Sequence, residues 1–210
     1  SFSLMYNDLT DFQSPLFNIN DFEFHEVKDV NIKNAYSFTS HISVYETCSL
    51  QYKFYKELDF TPVRAGAMLF GRLVHETIED VHRAALRNET DTITAENVEK
   101  WFQSNYAALS KAEHSYLAER QQGTALKQVM RYVDRQHGDW SAIQQAEVDV
   151  SLVKPDYIIE GKIDLVKGDD NTVEIVDFKS EKKPDTSADS ARIEHYRRQL
   201  NIYAYLVEQR

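Results

Sequence analysis

The stretch that decides the fold is Tyr157-Ile-Ile-Glu-Gly-Lys-Ile-Asp-Leu-Val166, followed after a short turn by Val173-Glu-Ile-Val-Asp-Phe-Lys179. Both segments are rich in β-branched and apolar residues. The residues between them, Lys-Gly-Asp-Asp-Asn at 167–171, have the composition of a hairpin turn. The sequence therefore predicts two antiparallel strands joined by a tight connection.

The position of this turn predicts which residues face each other. If the turn is centred between Asp170 and Asn171, the antiparallel register pairs Asp164 with Asp177. Facing residues have Cβ atoms roughly 5 Å apart, and two like charges at that distance oppose folding unless a cation lies between them. The alternative is that both are solvated strand aspartates, because a slip of one residue would put them on opposite faces.

Asp177 and Lys179 lie two residues apart, so a strand would project both side chains to one face. A carboxylate can ligate a hard divalent cation, and an ammonium beside it can orient water and stabilise an anionic transition state. Such a unit suits phosphodiester hydrolysis. Asp-x-Lys alone is a weak signal, because similar pairs are frequent on surface strands.

The rest of the chain predicts an α/β (α+β) protein in which a helical part, 37–140, precedes three strands and a last helix, 145–210. Residues 1–36 read as an irregular arm with one short strand over 22–30. The first helix begins after Ser37 with Ser40 as its N-cap. Further helices are expected over 67–87, 94–109, 111–137 with an interruption at Gly123, and 191–208. Strands are expected over 145–154, 157–166 and 172–180.

The predicted helices carry several polar residues that could take part in a site. His75, beside the apolar stripe of helix 67–87, is on periodicity alone either a ligand or a buried, hydrogen-bonded histidine. Glu79 and His82 share its face and could form a rival metal cluster, but we expect them to be solvated. Gln199 and Tyr203, one turn apart, suit a nucleic-acid strand or an ordinary amphipathic helix with a buried tyrosine.

Composition limits the class of protein. The chain has 210 residues and a net charge of -10 at pH 7, which argues against coating nucleic acid through a broad basic face. The same net charge is compatible with an enzyme that holds nucleic acid locally, over metal-bound carboxylates. A basic cluster could form a local rim or be a solvated face; it consists of Lys182, Lys183, Arg192, Arg197 and Arg198.

The sequence lacks a membrane-spanning segment and a second cysteine, and both facts bear on its expected location. No apolar run approaches the roughly 18 residues of a membrane helix, so we expect no membrane partner. A single cysteine, Cys48, excludes an internal disulfide and favours a reducing, cytoplasmic location. We expect Cys48 to be a buried helix residue.

Four short motifs occur in order: Gly71-x-x-x-His75, Gly161-x-x-Asp164, Ile175-Val-Asp177-Phe-Lys179 and Gln199-x-x-x-Tyr203. Together they resemble the PD-(D/E)XK nuclease superfamily, and within it most closely the RecB-type nuclease domain that is often fused behind UvrD-like DNA helicase motors. The resemblance covers about residues 37–207. It implies a restriction-endonuclease-like core, a small mixed sheet flanked by helices, behind a helical N-terminal part.

The resemblance also implies a deoxyribonuclease that uses Mg²⁺ or Mn²⁺, with exonuclease action favoured over endonuclease action. The metal ligands would be His75, Asp164, Asp177 and the backbone carbonyl of Phe178, and an imidazole ligand would favour Mn²⁺. The catalytic residues would be Asp164, Asp177 and Lys179. Gln199 and Tyr203 would contact DNA, while Glu147 and Gly161 would support the site, Gly161 by letting the backbone pass close to it.

The implied partners are DNA and the helicase motor domains of the same polypeptide or complex, acting in repair or recombination; we expect the chain to be part of such a larger protein. Some relatives bind an iron–sulfur cluster through four cysteines. Cys48 lies at the first of those places, but no other cysteine is present, so no cluster is expected in this chain. The alternative function is a catalytically silent module that guides DNA or docks the motor.

Overall fold

The computed structural model describes residues 33–60, 66–168 and 172–209. The strand predicted over 22–30 and most of the predicted irregular arm lie outside the described residues. Within them, a four-stranded mixed sheet is flanked by six α-helices, which confirms the predicted α/β class. No helix in the described part of the chain is both long enough and apolar enough to cross a membrane.

The N-terminal part begins with a strand rather than with the end of an irregular arm. Strand β1, Asn34–Ser37, pairs in parallel with the later strand β3 through Asn34↔Tyr157 to Ser37↔Glu160. A four-residue edge strand is too short to show a period, so its pairing with the sheet decides its conformation. The arm prediction was therefore wrong over residues 34–36.

The first helical segment is broken into short pieces. A wide helical turn, Phe38–Ile42, leads into α1 (Ser43–Thr47) and α2 (Ser49–Tyr52), and a second wide turn covers Lys53–Glu57. The N-cap is Ser37, whose hydroxyl accepts the Ser40 N–H at 3.2 Å, so the assignment of Ser40 was wrong. Cys48 separates α1 from α2 with extended backbone and is exposed, contrary to the prediction of a buried residue.

Three long helices form the larger hydrophobic core. They are α3 (Gly66–Leu86), α4 (Ala95–Glu113) and α5 (Glu119–Arg135), and α3 packs against both of the others. Thr94 caps α4, because its hydroxyl accepts the Asn97 N–H at 3.3 Å. The single helix predicted over 111–137 was wrong at its start, because α4 continues to Glu113 and ends at a left-handed His114. Gly123 lies inside α5 without interrupting it.

The sheet confirms the predicted hairpin register. Strands β2 (Ile143–Val153) and β3 (Tyr157–Gly168) form a long antiparallel pair, and β4 (Val173–Val176) pairs with β3 through Leu165↔Val176 to Gly168↔Val173. Continuing this register by one residue places Asp164 opposite Asp177. Strand β4 is shorter than the predicted 172–180, because after Val176 the chain leaves the ladder and the Phe178 N–H donates to the Asp164 carboxylate instead.

The strand β3 has an incomplete edge at its centre. One edge pairs with β2 over nearly its whole length, so β1 and β4 must share the other, at residues 157–160 and 165–168 respectively. Residues 161–164 lie between these two partners. Side chains alternate along a strand, so Gly161 and Ile163 face the last helix, α6 (Ser190–Glu208), while Asp164 faces α3.

Candidate active site

The gap at the edge of β3 is where the predicted motif residues meet. Asp164 lies at its end, with 15% of its side chain exposed, and its Oδ2 atom is 3.6 Å from His75 Nδ1 on α3. The same Oδ2 atom accepts the Phe178 N–H at 2.6 Å. One carboxylate therefore joins β3, α3 and the segment that follows β4.

Asp177 and Lys179 form the second part of the site, and Gln199 holds both. Lys179 Nζ lies 2.5 Å from Asp177 Oδ2. The Gln199 side chain donates from Nε2 to Asp177 Oδ1 at 2.9 Å and accepts from Lys179 Nζ through Oε1 at 3.0 Å. Because Gln199 is 3% exposed, this amide lies behind the ion pair and fixes it from the protein interior.

Tyr203 is also buried, at 3% exposure, and lies within hydrogen-bonding distance of Gln199 (Nε2 to the hydroxyl, 3.1 Å). Its ring packs on the backbone of Gly161, where an added Cβ would lie 2.7 Å from Tyr203 Cε1. Glycine is therefore required at 161 for the approach of α6 to the sheet. The close neighbour of Gly161 is thus a side chain of the protein, and its predicted role of bringing the backbone close to the site stays a prediction. Contact of Gln199 and Tyr203 with DNA stays a prediction.

The Phe178 side chain anchors the segment between Asp177 and Lys179. Its ring lies 5.7 Å from the His82 ring and 5.2 Å from the Tyr132 ring, centroid to centroid. His82 is 1% exposed, with Nε2 2.6 Å from the Tyr132 hydroxyl, so the expectation that it is solvated was wrong. The sequence missed this because a histidine at the edge of an apolar stripe gives no sign of its partner on another helix.

Glu147 occupies a strained position on β2. Its φ of 52° is left-handed, a conformation that costs a non-glycine residue free energy. Its carboxylate pairs with Lys162 Nζ at 2.7 Å. Glu79 on α3 is next to this pair and is ion-paired with Arg83, so it is not a solvated side chain. Burial, and then the charge of Glu147, raise the pKa of Glu79.

The electrostatics of the site show two opposing effects on each central group. Burial raises the pKa of Asp177, and the charge of Asp164 adds to this, while the hydrogen bond and charge of Lys179 act against it; the net shift is upward. Burial lowers the pKa of His75, but the hydrogen bond and charge of Asp164, followed by the charges of Asp177 and Glu147, raise it above its ordinary value overall.

A cleft of about 670 Å³ opens onto these residues. Hydroxyl groups of the N-terminal turn, Ser37, Thr39 and Ser40, line one part of it. The sheet contributes Asp149, Glu160, Asp164 and Lys162, while Asp177 and Lys179 come from the segment after β4. Four carboxylates against two lysines leave the wall with a net negative charge, which suits cations better than bare phosphates.

The arginines of the predicted basic rim are engaged within the chain. Arg192 pairs with Asp189 at 3.1 Å, Arg197 with Glu194 at 3.0 Å, and Arg198 with Glu46 through two hydrogen bonds of 2.9 and 2.6 Å. Their charges are therefore largely balanced locally, and the reading of a solvated face fits these three arginines better than a rim does.

The donor types present are those that Mg²⁺ and Mn²⁺ prefer, since two carboxylates and a backbone carbonyl supply oxygen and His75 supplies a nitrogen. Among the described residues, however, no three His, Cys, Asp or Glu side chains come together as a metal-binding cluster. Both oxygens of Asp177 have partners within the protein, Oδ1 with Gln199 and Oδ2 with Lys179. The chemistry of the donor set fits a hard cation.

A family model of the PD-(D/E)XK nuclease superfamily matches residues 38–210 of the chain. The chain belongs to the PD-(D/E)XK nuclease superfamily. The matched range contains strands β2 to β4, the six helices and the site residues from His75 to Tyr203, whereas β1 precedes it. No curated protein matches the chain in sequence.

Sequence reasoning missed one residue that contacts the site, Tyr196. Lys179 Nζ lies 5.3 Å from the centroid of its ring, and its hydroxyl donates to the Glu181 carboxylate. Burial raises the pKa of Tyr196 to about 12, and the hydrogen bond with Glu181 acts in the same direction. A signal was present, because Tyr196 is three residues before Gln199 and therefore on the same side of α6.

Proposed function

We propose that this protein is a metal-dependent deoxyribonuclease that hydrolyses phosphodiester bonds at the site formed by Asp164, Asp177 and Lys179. The observation that carries the proposal is the joined arrangement of Asp177, Lys179 and Gln199, with Asp164 next to them at the sheet edge. A module without catalytic function has no use for a partly buried acid and lysine held in one geometry by a buried amide.

The roles follow from the chemistry of each group. Asp164, Asp177 and the Phe178 carbonyl, with His75, would hold Mg²⁺ or Mn²⁺. When bound, such an ion lowers the pKa of coordinated water and neutralises charge on the phosphate. The Lys179 ammonium orients the attacking water and stabilises the anionic transition state. Asp177 keeps this ammonium at the site by direct ion pairing.

Gln199 acts as a positioning residue in this proposal, because it contacts Asp177 and Lys179 at the same time. Glu147 and Gly161 support the site from β2 and β3. Tyr203 would contact DNA only if the substrate enters the cleft as far as α6. We therefore assign Tyr203 first to the support of Gln199.

The wider setting is proposed from the RecB-type resemblance of the motifs. It consists of a nuclease domain working with DNA helicase motors in repair or recombination, with exonuclease action and a cytoplasmic location. The alternative, a silent nuclease-fold module for DNA guidance or docking, would bind no metal at Asp164 and Asp177.

The test is cleavage of labelled single- and double-stranded DNA with Mn²⁺, with Mg²⁺ and with EDTA. Asp177→Asn removes the charge with little change of shape, and Glu174→Gln, three residues earlier on exposed β4, is the matched control. We expect metal-dependent cleavage that Asp177→Asn abolishes and Glu174→Gln retains.

Calorimetry with Mn²⁺ separates the two functions. A nuclease should bind the ion, and Asp177→Asn should weaken that binding. An absence of both cleavage and metal binding in the wild-type chain would instead support the silent module.

A further inference from the structure

The outer face of α5 carries a line of cations without carboxylate partners. Arg120, Lys127 and Arg131 are all exposed, and in the part of the chain that the structure describes no carboxylate lies within ion-pairing distance of them. This differs from the arginines of α6, each of which is paired. In a chain of net charge -10, unpaired cations on one helix face are unexpected.

The three cations occupy one narrow strip, which we call the α5 stripe. Successive residues of a helix are separated by 100°, so Arg120, Lys127 and Arg131 lie within about 40° of one another around the axis. The buried residues Ala125 and Val129 lie on the opposite side, against the helical core. The stripe is therefore turned fully to solvent.

The stripe passes close to the proposed catalytic lysine. Gln128, next to Lys127 in sequence, donates from Nε2 to the backbone carbonyl of Ser180 at 3.2 Å. Ser180 directly follows Lys179 in the chain. The exposed residues Lys182 and Lys183 come shortly after it. The Gln128 contact thus brings α5 against the segment that carries Lys179.

We propose that the α5 stripe binds the phosphate backbone of the DNA strand that enters or leaves the active site, a proposal that rests on the proposed nuclease function. The 12 residues from Arg120 to Arg131 cover about 16 Å, the axial rise of roughly five nucleotides of one B-form strand. Exposed Lys and Arg side chains that contact phosphates without reading bases give sequence-independent binding. Where no metal is bound, the acidic cleft wall would repel a phosphodiester chain. The α5 stripe is cationic, so it would attract that chain.

The test uses the full chain and a fluorescent 30-nucleotide single strand in EDTA, with dissociation constants measured by anisotropy from 50 to 300 mM salt. The variant is Lys127→Gln with Arg131→Gln. The matched control is Lys100→Gln with Arg87→Gln, two exposed cations that pair with Glu96 and Glu89. Glutamine keeps the helix propensity of the exposed positions, and circular dichroism checks the fold.

We expect the slope of log affinity against log salt to become shallower by about 1.4 in the stripe variant. This corresponds to about 0.7 for each lost phosphate contact with a single strand. Affinity at 0.1 M salt should fall by roughly 25-fold by the same relation. The control should keep the wild-type slope. An unchanged slope in the stripe variant, or the same loss in the control, overturns the proposal.

Cleavage by the wild-type chain with Mn²⁺ distinguishes the two proposals. Metal-dependent cleavage together with an unchanged slope in the stripe variant refutes the stripe alone. No cleavage, with salt-dependent binding that the stripe variant loses, refutes the nuclease and supports the stripe. Metal-dependent cleavage by a chain that does not bind the strand in EDTA also refutes the stripe alone. A wild-type chain that neither binds the strand in EDTA nor cleaves it with Mn²⁺ overturns both.

Discussion

Acid should destabilise this protein through His82. Its pKa is lowered from 6.5 to about 4, chiefly by burial and further by the charge of Lys167. The folded protein therefore keeps the ring neutral where the unfolded chain binds a proton. Stability is at its full value above pH 6.5 and is lost as the pH falls toward 4, because the unfolded state binds more protons over that window.

The size of the loss follows from the difference between the two pKa values. A shift of one unit corresponds to about 1.4 kcal/mol, so His82 alone should remove about 3 kcal/mol of stability between pH 7 and pH 4. For a chain of this length that is a fall of about 6–12 °C in Tm. The pKa of His75 is shifted upward, so His75 makes the protein more stable as the pH falls. Comparing the wild type with a His82 variant cancels this contribution, because both proteins contain His75.

The assay is urea unfolding from pH 7 to pH 4, followed by tryptophan fluorescence. Trp140 is a suitable probe because it is buried and its ring centroid lies 6.3 Å from that of Tyr132, the hydrogen-bond partner of His82. The His82→Gln variant should be less stable than the wild type at pH 7, but its free energy of unfolding should lose most of its dependence on pH. His137→Asn, at an exposed histidine, is the control and should keep it. An equal slope in the wild type and His82→Gln would refute the argument.

Three other predictions concern the support of the site. Gln199→Met leaves the buried Asp177 oxygen without its donor, so we expect kcat to fall by about 100-fold while Mn²⁺ affinity in calorimetry changes little; the reverse order would contradict the positioning role. Gly161→Ala should cost about 1–3 kcal/mol in urea unfolding because of overpacking, whereas Gly123→Ala, where an added Cβ meets no atom within 4 Å, should stabilise by about 0.5–1 kcal/mol. Tyr196→Leu should lower kcat several-fold at constant KM, and Tyr196→Phe, which keeps the ring beneath the lysine, should restore most of it.

The hairpin register could be predicted from sequence because the turn residues mark the centre of the connection. Once that centre is set, antiparallel geometry fixes which residues face each other. The pairs Leu165↔Val176 and Gly168↔Val173 confirm it. The long helix α3 was predicted for a similar reason, since its apolar stripe continues over five turns.

The features that were not predicted depend on tertiary contacts. β1 is defined by its pairing with β3, and Cys48 is exposed because the backbone becomes extended there. His82 is neutral and buried because Tyr132, on α5, supplies a partner for its ring. Neither a short edge strand nor a hydrogen bond between helices leaves a periodic trace in the sequence.

The last helix explains how a site can be precise when its main residues lie outside regular structure. β4 ends at Val176, so Asp177 and Lys179 have no ladder hydrogen bonds to fix them. Tyr196, Gln199 and Tyr203 follow one side of α6 and supply this support, the first two by direct contact with Lys179 and the third through Gln199. Burial of Gln199 is then required by its task, because a solvated amide would exchange these bonds with water. Under the proposed function, the motif that contains Asp177 and Lys179 supplies the reacting groups, and the motif that contains Gln199 and Tyr203 holds them in place.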